Sequence, residues 1–198
     1  RPPYTLKDMA RDALGVLDAL GIRQAHVMGM SMGGMIAQRF ALMAPKRVLS
    51  LTSLMSSSGA RGLPGPSREV MKVIFSRPIS HRAEDVVNHM ARVFKTIGSR
   101  DFPADETAVR AGILRAYERC YSPSGTVRQI VAIAADSRRR AKKLHFITCP
   151  TLVIHGYHDP LVPFACGVDT ASRIPGAHLV GIEGMGHDLP PGVVTRIL

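Results

Sequence analysis

Apolar positions along the chain switch in order between helical and strand spacing. Leu6, Met9, Ala13, Leu17 and Leu20 recur at the three-to-four-residue interval of one helix face. Thr5 followed by Asp8 predicts a capping-box start for that helix, and Gly21 predicts its C-terminal stop. Ala25–Met28 is a short apolar run that reads as a strand. Met32–Ala44 is apolar on several sides, as a largely buried helix would be, and halts before Pro45. Val48–Leu54 reads as the next strand. Helix, strand, helix, strand in succession predicts a parallel sheet with helices on its faces.

The pattern breaks at Ser56-Ser57-Ser58-Gly59, and 62–67 is rich in proline and glycine, as linkers are. From Glu69 to about Lys143 only helical spacing is found, with candidates over 68–75, 83–97, 105–121 and 124 to about 137. Strand character returns at Thr151–Gly156 after Pro150. A helix over 164–173, a strand over 177–182 and a helix starting at Val193 follow. The domain expectation is a core over 1–60 and 144–198, interrupted by a helical cap insertion over 61–143. No internal repeat or low-complexity tract is seen.

With 198 residues and 45% hydrophobic content, the chain can bury one real core. No apolar run approaches the ~20 residues of a membrane span, so a soluble protein without membrane partners is expected. The first residues, Arg1-Pro2-Pro3-Tyr4, do not read as a signal peptide, and the missing initial methionine suggests a cleaved or truncated chain. Cys120, Cys149 and Cys166 are too scattered for a disulfide framework or a zinc site. They fit a reducing, cytoplasmic setting with inert thiols. No metal and no cofactor is expected.

The formal charge of +11 raises the question of a polyanionic partner. Between Arg61 and Lys143 stand 17 Lys+Arg and 8 Asp+Glu, against 9 and 7 elsewhere, so the excess is regional. It is not interleaved with aromatics and no nucleic-acid motif accompanies it, so a solvated basic surface is expected and nucleic acid is not. Attraction of anionic substrates by steering would be a by-product.

The chemistry concentrates at Gly29-Met30-Ser31-Met32-Gly33-Gly34, between a strand and a helix. Strand, Gly-x-Ser-x-Gly, helix is the layout of a nucleophile elbow. Gly29 and Gly33 let backbone pass close through a tight turn. The serine hydroxyl is lifted to a helix start, where amides and dipole favour developing negative charge. Alone, the motif also fits a glycine-rich turn with a capping serine.

A serine nucleophile needs a base, and the base needs an orienting acid. Asp159 lies in the loop after the strand at 151–155, and His187 in the loop after the strand at 177–182. In a parallel sheet both loops fall on the edge where Ser31 emerges. His155 ends its strand and His158 adjoins Pro160, so neither is the preferred base. Asp188 adjoins His187, but adjacent side chains point apart, so a solvated or structural carboxylate is expected there. Asp136, in the cap, and Asp169, in the helix at 164–173, are not placed to reach the base. His26 reads as a packed strand residue.

These segments, with His155-Gly156-Tyr157-His158-Asp159-Pro160-Leu161-Val162-Pro163 and Gly184-Met185-Gly186-His187-Asp188, resemble α/β-hydrolase fold esterases. The likeness points to their aclacinomycin methylesterase-like branch. It covers nearly the whole chain, most specifically 5–58 and 144–190. The resemblance implies Ser31 as nucleophile, His187 as general base and acid, Asp159 as its orienting partner, and Met32 as donor of an oxyanion-hole amide. It implies hydrolysis of a small-molecule carboxylic ester. Ser31 argues against dehalogenase or epoxide hydrolase chemistry, which uses aspartate at the elbow, while perhydrolase or haloperoxidase-type activity is compatible with it. A non-catalytic binder of a small molecule or partner is the alternative from another class. Of Met28, Met30, Met32 and Met35, most read as core, with Met30 or Met32 lining an adaptable acyl pocket.

The family normally places several strands before the helix at Thr5, and a His-Gly loop there supplies a second oxyanion amide. Neither is found before Ser31. The expectation is therefore a portion of a longer hydrolase, with one flank of the strand at Ala25–Met28 left uncovered. Substrate identity and oligomeric state are not legible at this level.

Overall fold

The computed structural model describes residues 2–197. Twelve elements are labelled in chain order: α1 (Leu6–Ala19), β1 (Ala25–Met30), α2 (Met32–Met43), β2 (Val48–Leu54), α3 (Arg68–Ile74), α4 (Ala83–Ile97), α5 (Glu106–Arg119), α6 (Pro123–Ala141), β3 (Thr151–Gly156), α7 (Phe164–Arg173), β4 (His178–Ile182) and α8 (Pro191–Ile197). The chain divides into two compact units. The first contains the residues up to Pro64, Ser124–His155 and Phe164–Gly181; the second contains Gly65–Pro123, Gly156–Pro163 and the residues from Ile182 onward.

In the first unit the strands lie in the order β1-β2-β3-β4. β1 runs parallel to β2 and β2 parallel to β3, with Val27 opposite Leu51 and Leu54 opposite Ile154. β1 runs two residues beyond the expected Met28, because Gly29 and Met30 still pair with Ser53 and Leu54. It ends the strand order, so one of its flanks carries no strand among the described residues. Val27, Leu51, Phe40, Ala41 and Ala10 join α1 and α2 to one face of the sheet in a single cluster.

α1 begins with the capping box, Thr5 accepting from the Asp8 amide while Asp8 accepts from Thr5. It closes in a Schellman arrangement: Gly21, at φ 66°, donates to Asp18, and Ile22 donates to Leu17. The apolar stripe of α1 is only partly buried. Leu6 and Ala10 are core, whereas Leu20 stands in solvent.

α6 ends four residues beyond the end its apolar spacing suggested, and from Ser124 onward it belongs to the first unit, so the 61–143 segment is shared between the two units. Ala132 packs on Leu6 and Met35. Arg140, fully buried, reaches Gln38 at 2.9 Å, Asp136 at 2.5 Å and the Ser57 carbonyl at 3.0 Å. Asp136 also receives Arg39 at 2.5 Å. The basic excess of this segment is thus not wholly a solvated surface: burial pulls the Arg140 guanidinium down to about 10, against the holding effect of Asp136.

The second unit is mostly helical. Val70 of α3, Val93 and Ile97 of α4 form its cluster, with Leu161 packed against it. Among the described residues no helix is long and apolar enough to cross a membrane.

Candidate active site

The elbow belongs to the first unit. Ser31 takes φ 53° and ψ −121°, a left-handed conformation that costs a non-glycine residue about 1–3 kcal/mol. Several backbone bonds hold it there. Its N–H donates to the Leu54 carbonyl at 2.9 Å, and its carbonyl accepts from the Gly34 and Met35 amides at 3.0 and 3.3 Å. The Ser56 hydroxyl donates to the same carbonyl at 2.7 Å. The Ser31 side chain makes no capping bond to α2. Met32 opens that helix, where amides lack an intrahelical acceptor.

Ser56 had no sequence signal beyond a run of serines. The turn that presents it is itself strained: Met55, fully buried, sits at φ 40°, and its N–H donates to Ile154 at 2.8 Å. Of the four methionines around the elbow, Met35 is core and Met32 packs beside it. Met28 and Met30 are not core, at 57% and 46% exposed, because their face of the edge strand is not covered by α1 or α2. His26 is exposed too, its Nδ1 2.7 Å from the Ser50 hydroxyl of the neighbouring strand.

The acid and the histidine both belong to the second unit. Asp159 is buried, and its Oδ1 accepts from the Leu161 and Val162 amides at 2.9 and 2.8 Å. Its Oδ2 lies 2.7 Å from His187 Nδ1. The carboxylate is therefore fixed by its own loop where it meets the imidazole. The two loops pass in close contact, with the His158 amide donating to Met185 at 3.2 Å. A Cβ on Gly156 would lie 2.1 Å from the Met185 carbonyl oxygen, so only glycine fits there.

The rival residues are otherwise engaged. His155 is fully buried, edge-on to the Phe164 ring at 6.0 Å. His158 lies 3.3 Å from Glu183 and accepts from the Gly184 amide. Asp169 is held by Arg173 at 2.7 and 2.8 Å and bonds Ser58. Asp136 is committed to Arg39 and Arg140. Asp188 is a half-buried structural carboxylate: its Oδ1 accepts from the Ser99 amide at 2.9 Å and hydroxyl at 2.5 Å. Burial pushes its carboxyl above the ordinary range, with the Ser99 bonds and the His187 charge opposing.

Comparison with known proteins bears on the same segments. The alpha/beta hydrolase fold family model matches residues 1–78. Rhodomycin D methylesterase DauP of Streptomyces sp. (strain C5) is 33% identical over 213 residues, covering 96% of this chain and 70% of that protein. The chain belongs to the α/β-hydrolase fold family. Rhodomycin D methylesterase DnrP of Streptomyces peucetius is 31% identical over 211 residues, again with 96% and 70% covered. Among solved structures, a hydrolase from Pseudomonas aeruginosa PA01 superimposes with a TM-score of 0.67 at 28% identity, covering 92% of this chain and 65% of that one. This α/β-hydrolase chain thus spans about two thirds of the length of the relatives it matches.

Proposed function

We propose that this α/β-hydrolase chain carries the serine, acid and histidine of a carboxylic ester hydrolase working through an acyl-enzyme. The observation that carries the reading is the 2.7 Å contact between His187 Nδ1 and Asp159 Oδ2. A carboxylate so placed selects the imidazole tautomer with Nε2 as base and stabilises the imidazolium that forms. The strained Ser31 at the head of α2 supports the nucleophile assignment.

In this mechanism Ser31 Oγ attacks the ester carbonyl while His187 Nε2 takes its proton. The carbonyl π electrons move to oxygen, and the oxyanion is held by the Met32 amide and a second donor. Collapse expels the alcohol, which receives the proton from His187, and leaves the acyl group on Ser31. Water then gives a proton to His187 and attacks the acyl carbonyl. Collapse releases the acid, and the proton returns to Ser31. Asp159 stays ionised throughout. Met30, half-exposed one residue before the nucleophile, is assigned to the acyl pocket. The methylesterase names of two relatives favour a methyl ester of a small molecule as substrate. The cysteine usage supports a cytoplasmic setting.

The test is intact mass before and after a fluorophosphonate probe, on the parent chain and on Ser31→Ala. A single adduct that vanishes in the variant is expected. An adduct that survives the substitution would remove Ser31 from the mechanism.

A further inference from the structure

Three consecutive residues of the histidine loop are each tied to one turn at the end of α4. The His187 amide donates to the Ile97 carbonyl at 2.7 Å. The Gly186 amide donates to the Ser99 hydroxyl at 2.9 Å. That hydroxyl donates to Asp188 Oδ1 at 2.5 Å, and the Ser99 amide donates to the same oxygen at 2.9 Å. Ser99 Oγ therefore links the residues on either side of His187. Further out, the Arg100 amide donates to the Gly184 carbonyl at 2.9 Å.

The contact leaves no slack. A Cβ on Gly186 would lie 2.4 Å from the Gly98 carbonyl oxygen, and one on Gly184 would lie 2.3 Å from Asp101 Oδ2. Keeping a half-buried carboxylate at Asp188 has a desolvation cost, visible in its raised pKa. A solvated loop would have no need to retain that arrangement.

Asp159 meets the imidazole at Nδ1, and where the ring stands against that carboxylate follows from the backbone that carries it. Tying the His187 amide and the residues on either side of it to the end of α4 fixes that backbone. We propose that Ser99 and Asp188 are positioning residues that act through His187, latching its loop to the C-terminal turn of α4. The proposal rests on the ester hydrolase reading above.

The experiment uses the full chain, with p-nitrophenyl acetate as substrate and the fluorophosphonate labelling rate as a second readout. Ser99→Ala and Asp188→Ala are each expected to lower kcat and labelling rate about 10–100-fold, the size of effect a displacement near 1 Å produces. KM is expected to hold within about twofold, since the latch touches no substrate in this reading. Asp188→Asn keeps an acceptor for Ser99, and Ser99→Thr keeps the hydroxyl, so both should recover most of kcat. The double alanine variant should be no worse than the poorer single, because both remove one device.

Parental kcat in the alanine variants, or loss in Asp188→Asn equal to that in Asp188→Ala, would overturn the latch. Should the alanine variants not fold, Ser99→Cys keeps the shape while weakening both hydrogen bonds. Reduced kcat there supports the latch, and parental kcat overturns it. Undiminished turnover and labelling in Ser31→Ala would instead bring down the triad reading, so the two failures are told apart.

Discussion

Gly29 and Gly33 stand across the elbow from each other, yet only one of them must lack a side chain. A Cβ on Gly29 would sit 2.1 Å from the Gly33 carbonyl oxygen, whereas a Cβ on Gly33 meets nothing within 4 Å. The close approach the motif implies is the backbone of residue 33 passing over residue 29. The second position that needs glycine is Gly34, whose Cβ would lie 2.6 Å from that of Ser56.

Gly29→Ala is therefore expected to displace the α2 start and cut the labelling rate of Ser31 by roughly 10²-fold or more. Gly33→Ala should fold at least as well as the parent, since alanine is favoured over glycine in a helix by about 0.5–1 kcal/mol. Thermal melts and fluorophosphonate labelling of the two variants side by side check this. Equal damage from both would contradict the geometry.

Asp159→Asn keeps the size of the side chain but removes the charge opposite His187 Nδ1. The carboxamide would stabilise the wrong tautomer and leave the imidazolium unsupported. On the proposed mechanism, kcat should fall by about 10³–10⁴-fold. Steady-state kinetics on p-nitrophenyl acetate measures it, and a fall under tenfold would point to another acid.

Asp136 neutralises two arginines, one of them fully buried. Removing one member of such a group leaves uncompensated buried charge, so Asp136→Ala should cost about 3–5 kcal/mol of stability. Replacing Asp136 and Arg140 together by apolar residues should cost less than the single change. Urea denaturation of both variants tests the order.

Arg173 holds the Asp169 carboxyl below its ordinary range; burial opposes this and the Ser58 hydroxyl adds to it. A depressed folded pKa contributes stability above the unfolded value of 3.8, and that stability is lost as pH falls through the folded value. Asp169→Asn should thus lower Tm at neutral pH, by the equivalent of about 1–3 kcal/mol. The gap to the parent should close as pH falls below about 4. A gap unchanged into acid would show that shape, not charge, was lost.

The order of helices and strands, the elbow at Ser31 and the candidacy of Asp159 and His187 were legible in the sequence. Each rests on local chemistry: side-chain spacing, capping residues, and a motif that is contiguous in the chain. Which neighbours those residues meet was not legible. Asp136 reads as a cap residue, but it is buried between Arg39 and Arg140, and Arg39 is 97 residues away. Ser99 stands in an unremarkable helix end, yet it bonds Asp188 across 89 positions. Met28 looks like core from its hydrophobicity, and only the sheet register shows that α1 and α2 cover the other face. Gly33 looks as necessary as Gly29 until the backbone path is known. The sequence by itself determined the elements and the candidates for the reactive groups, because spacing, capping and a contiguous motif act over a few residues. The tertiary structure decided burial, charge pairing and loop anchoring, because those depend on which distant atoms fold into hydrogen-bond reach.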